Sequence, residues 1–64
     1  MADAAEFRRQ NLLADLKVLN RDLARNEWPP LVSDEAAAVC PLEELPALLA
    51  ATRRRLRHMA EAER

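Results

Sequence analysis

The chain has 64 residues, half of them apolar and a third charged, with a formal net charge of −1. This length holds one domain, and the composition excludes gross disorder and a membrane span. Near-balanced charge excludes a whole-protein field drawing the molecule to nucleic acid or anionic membrane.

The sequence has no glycine, no tyrosine and no isoleucine, while Ala, Leu, Arg and Glu dominate, a composition of helix rather than sheet. The first element is a helix over about residues 3–26. Leu12, Leu16, Leu19 and Leu23 recur at steps of four, three and four and form one apolar stripe, with Ala5 extending it and Leu13 widening it. Pro29 pushes Trp28 out of helical geometry, so the helix stops and a Pro-rich corner occupies residues 27–32. Ser33 is placed to cap a short helix over about residues 33–40, whose Asp34 and Glu35 suit the positive end of the dipole. Pro41 ends it.

From Pro41 the reading forks: one helix kinked at Pro46, or a turn over residues 41–45 followed by a helix over about 46–62. The second is preferred, because a proline inside a helix costs roughly 3 kcal/mol and at its first position costs nothing. The stripe of this last helix is Leu45, Leu49, Thr52, Leu56 and Met59, with Leu48 beside it. The predicted fold is therefore all-α: an antiparallel helical hairpin of two long helices with a short helix in the connection.

A core of this size contributes no more than roughly 3 to 5 kcal/mol, and a supplement is expected. Cys40 has no second cysteine and His58 no second histidine, so neither a disulfide nor a zinc cluster supplies it, and no cofactor is expected. Pairing of two hairpins into a dimeric four-helix bundle remains. Without a basic segment followed by an apolar one at its start, the chain is expected in the cytoplasm. Nine arginines to one lysine, with thirteen alanines, match the coding bias of a GC-rich genome and point to a bacterial or phage protein.

No nucleophile, base or ligand spacing argues for an enzyme, so the candidate residues are those of a binding surface. Trp28 is either a plug on the open end of the core, an anchor for a partner, or part of a Pro-rich ligand motif. Phe7, Ala14 and Val18 project opposite the leucines, near Gln10, Lys17, Arg21 and Arg25, as ordinary surface or as a contact with another molecule. In the run Thr52-Arg-Arg-Arg-Leu-Arg-His58, Arg54 and Arg57 point outward. They form a solvated face, a phosphate site diluted by Glu61 and Glu63, or a match for an acidic protein. Cys40 is expected to be a buried, inert thiol.

The length, the inferred hairpin and the run Asp34-Glu35-Ala36-Ala37-Ala38-Val39-Cys40 resemble, in architecture, the Rop family of plasmid copy-number regulators. That resemblance implies a dimeric four-helix bundle that binds RNA; the two corner prolines depart from it. The leading expectation is a non-enzymatic regulator or adaptor that binds another protein through Phe7, Val18, Arg21, Arg25, Trp28, Arg54 and Arg57. The alternatives are an RNA-binding dimer using the basic residues of the first helix, and a purely structural self-assembly module.

Overall fold

In the computed structural model, which describes residues 3–62, the elements are α1 (Ala4–Arg25), α2 (Asp34–Ala38), a 3₁₀ turn (Leu42–Glu44) and α3 (Leu45–Ala62). No strand occurs among the described residues. Glu63 lies outside them.

α1 and α2 begin where the sequence supplies an acceptor. Asp3 caps α1 by accepting from the Ala5 amide, and Ser33 caps α2 by accepting from the Ala36 amide at 3.1 Å. Pro46 stands in the first turn of α3, where its missing N–H costs no hydrogen bond, and the 3₁₀ turn before it takes up the residues left by Pro41. The helix is therefore unkinked at Pro46 and opens one residue before it.

The end of α1 is built without glycine. The Trp28 amide donates to the Leu23 carbonyl and the Glu27 amide to the Ala24 carbonyl, the paired bonds of a Schellman turn. This turn requires a left-handed residue just past the cap, and Glu27 supplies it at φ 61°. A side chain with a Cβ in that region carries a cost of roughly 1 to 2 kcal/mol.

Leu16 and Leu23 are fully buried on α1, and Leu45, Leu49, Thr52 and Met59 are buried on α3. Leu12, Leu13, Leu19 and Leu48 pack half-buried around a centre formed by Leu16, Leu49 and Ala37 of α2. Thr52 is tolerated inside because its hydroxyl donates to the Leu48 carbonyl at 2.9 Å. Ala5, which the stripe includes, is exposed, since α1 at that level extends past the elements that would cover it.

The two long helices pack against each other, as the stripes predict, and the chain doubles back after α1 in the manner of a helical hairpin. Their relative direction, however, is parallel rather than antiparallel. Arg9, near the start of α1, donates to the Cys40 carbonyl just ahead of α3 at 2.6 Å. Arg55, in the second half of α3, donates to the Pro29 carbonyl just beyond the end of α1 at 2.8 Å. Starts and ends therefore lie side by side. The physical reason is the connector: an antiparallel pair needs a turn of a few residues, whereas residues 26–44 run back along α1 and bring the chain to its starting end before α3 begins. The architectural resemblance to Rop-type hairpins does not extend to this topology.

The connector also covers the flank that two helices alone would leave wet. Asn20, between leucines of the stripe and itself buried, donates from Nδ2 to the Val32 carbonyl at 3.1 Å and to Asp34 Oδ1 at 2.9 Å. Its own Oδ1 is buried without a partner. Ala37 of α2, fully enclosed, then closes the core.

The molecule is long, 47 × 16 × 15 Å, with a radius of gyration of 12.6 Å where a compact chain of this length gives about 11 Å. It exposes 4716 Å², against about 4200 Å² for a compact monomer of its mass.

Two stability changes follow. Glu27→Gly removes the left-handed cost and raises unfolding free energy by about 0.5 to 1 kcal/mol in urea titration. Asn20→Asp, nearly isosteric, replaces the donor with a carboxylate oxygen facing two acceptors. It costs more than Asn20→Ala, whose loss is about 1 to 3 kcal/mol by the same measurement.

Candidate functional site

Successive helical residues turn by about 100°, so Phe7, Ala14, Val18, Arg21 and Arg25 share a sector of α1 turned away from Leu16 and Leu23. The structure leaves this sector open. Phe7 is 63% exposed and Val18 57%, and Ala14, Lys17, Arg21 and Arg25 are exposed around them. Single exposed apolar residues need no explanation, but an aromatic and a branched aliphatic side chain aligned on one helix face form a stripe. Arg25 lies 3.7 Å from Asp22 one turn back, an exposed pair that leaves its guanidinium accessible.

Arg54 and Arg57 are exposed on α3, on the side turned from its buried stripe, and so belong to a different helix from the α1 group. His58 is exposed beside them.

Trp28 is half-buried, and its ring carries the Arg55 guanidinium at 5.2 Å from the centroid. Arg55 is thus used twice, over the indole and on the Pro29 carbonyl. Both contacts tie the end of α1 to α3. The restricted backbone of Pro29 and Pro30 holds the Pro29 carbonyl beside the indole at a fixed place.

Cys40 is only half-buried, contrary to the expected buried thiol, because it lies on the connector at the edge of the fold. Its carbonyl receives Arg9, and its thiol donates to the Ala36 carbonyl at 3.4 Å. Leu31 and Val39 are further exposed apolar residues of the connector, Val39 at 84%.

Three residues that organise this geometry carry no signal in the sequence. Arg9, Asn20 and Arg55 each send a side-chain N–H to a connector carbonyl. Among nine arginines nothing marks two as internal, and Asn20 reads as one more polar residue beside a leucine stripe. Only the interrupted apolar pattern at the Leu19–Asn20 step could have pointed to it.

Two partly open clefts lie on the surface. One of about 450 Å³ between α1 and α2 is lined by Leu13, Leu16, Lys17, Asp34, Glu35 and Ala38. Another of about 370 Å³ lies among Arg8, Leu42, Glu43 and Pro46. Among the described residues, no group of three or more His, Cys, Asp or Glu side chains is arranged to hold a metal ion. No described helix is long and apolar enough to cross a membrane.

Comparisons with protein-family models, with curated proteins and with solved structures found no match.

Arg55→Met keeps the apolar stem and removes the charge and the donor. It lowers stability by about 1 to 2 kcal/mol and makes the tryptophan more accessible to acrylamide quenching, while CD at low temperature stays helical.

Proposed function

We propose that this chain is a non-enzymatic interaction protein, a small regulator or adaptor of the cytoplasm, whose binding surface is the outer face of α1. The observation that carries this reading is the alignment of exposed Phe7 and Val18 on the face opposite the buried leucines, with Arg21 and Arg25 beyond them. The leucines of α1 already pack on α3 and the connector, so an apolar contact made by α1 with another molecule uses this second face. Its order suits helix-in-groove or helix-on-helix docking, where an aromatic and an aliphatic anchor lie two or three turns apart and arginines form a polar rim.

Trp28 contributes indirectly in this reading, by fixing the end of α1 against α3. Arg54 and Arg57 belong to the proposal as a separate basic face, suited to an acidic partner. Assembly of two copies into a bundle of four long helices is part of the same proposal, with the pairing made by faces other than the leucine seams.

A second reading is favoured by one feature: Lys17, Arg21 and Arg25 are all exposed on the helix that also exposes Phe7, a combination that suits an RNA strand laid along α1, its phosphates on the basic end and a base stacked on the ring. Salt separates the two. Binding to phosphate weakens steeply between about 50 and 200 mM salt, whereas an apolar protein contact changes little.

Val18→Glu should leave the helical CD and melting temperature near those of the native chain, because the site is exposed. Co-purification from the native cell should lose a stoichiometric protein partner with this variant. Retention of that partner by Val18→Glu contradicts the assignment of the face.

A further inference from the structure

We infer that the occupant of the outer α1 face is a second copy of this chain, its α1 lying antiparallel across a two-fold axis at Ala14. The inference rests on the reading of that face as an interaction surface and names its partner.

The spacing is the first ground. Phe7, Asn11, Ala14, Val18, Arg21 and Arg25 follow at steps of four, three, four, three and four, the alternation of a coiled-coil seam and of the leucine stripe behind it. All six are exposed. Ala14, the smallest, stands near the middle, where helices crossing on an axis come closest.

Charge is the second ground, and it fixes the direction. Lys17, Arg21 and Arg25 lie in the second half of α1, while Asp3 and Glu6 lie at its start. Parallel pairing would set Arg21 on Arg21 and Arg25 on Arg25 within the seam, two layers of like charge. Antiparallel pairing about Ala14 sets Arg21 over the Phe7 ring of the second copy and beside its Glu6. It brings Arg25 to the second copy's Asp3, and Val18 to its Asn11. Cation and ring, and cation and carboxylate, then meet at both ends by symmetry. Asp15 meets its own copy at the edge of this seam, the one like-charge pair of the arrangement.

Shape agrees. The surface above that of a compact monomer, 4716 Å² against about 4200 Å², is the consequence of a long rod, and a rod buries surface most effectively along its length. One six-residue seam per copy is a small interface, so the dimer is weak, with a dissociation constant on the order of 10 to 100 µM.

The test is sedimentation equilibrium of the full chain from about 5 to 500 µM at low salt, a range that brackets such a constant. The native chain should shift from monomer to dimer. Arg21→Glu and Glu6→Arg should each weaken dimerisation fivefold or more, and the double variant should recover to within about twofold of native, since each charge then meets its opposite across the axis. In a Cys40→Ser background, Ala14→Cys should oxidise to a disulfide-linked dimer and Val18→Cys should not. Monomer at every concentration overturns the inference, as does cross-linking through Val18→Cys without Ala14→Cys. A monomer from which Val18→Glu still removes a co-purified protein overturns self-pairing alone. A Val18→Glu variant unchanged in both experiments overturns the functional reading of the face as well.

Discussion

The Asn20 side chain donates to the Val32 carbonyl and the Asp34 carboxylate from inside the leucine stripe of α1, and the path of the chain follows from that bond pair. With Val32 and Asp34 held there, the connector runs down α1 instead of crossing directly to a second helix. Ala37 then reaches the core, Cys40 reaches Arg9, and α3 starts beside the start of α1. A buried amide with an unpartnered oxygen is costly, but losing its two donated bonds would leave the part-buried Val32 carbonyl without this donor as well. The clamp therefore contributes direction more than net stability, as buried polar groups do when they fix one arrangement among several.

Parallel packing has consequences for function. Each leucine stripe faces the other long helix and the connector, so the centre of each stripe is covered within one chain and its flanking leucines are half-covered. What α1 keeps outside is a second, thinner stripe with a basic end. Arg9 and Arg55 lock the two ends of the connector, and Arg55 uses Trp28 as its platform. The outer face of α1 is thereby carried on a helix restrained at both ends and along one side, so the docking proposed for it would lose less entropy than docking on a free helix. A core this small cannot spare much, and the left-handed Glu27 at the end of α1 already draws on it.

The helices themselves were legible because they rest on local chemistry. Asp3 and Ser33 are caps, Pro29 and Pro41 are stops, and Pro46 starts a helix for reasons that need no tertiary context. The leucine spacing likewise gave the buried faces and, by subtraction, the open face bearing Phe7 and Val18. Direction was not legible. Stripes of this kind pack equally well parallel or antiparallel, and the choice falls to Asn20, Arg9 and Arg55, whose partners are carbonyl groups that any residue possesses. Trp28 was legible as a residue at the bundle end, but its arginine partner lies 26 to 27 positions away from the corner among other arginines. The exposure of Cys40 depends on the same connector path and was hidden for the same reason.

The most direct measurement of that path is the distance between spin labels on paired cysteines in a Cys40→Ser background, comparing Ala24 with Arg57 and Ala4 with Arg57. All three positions are exposed. Parallel helices require the Ala24–Arg57 pair to be the short one and the Ala4–Arg57 pair to be longer by roughly 20 Å, given a rise of about 1.5 Å per residue along α1. The reverse order, with Arg57 near Ala4, would mean an antiparallel hairpin and would remove the Asn20-directed connector on which the open α1 face depends.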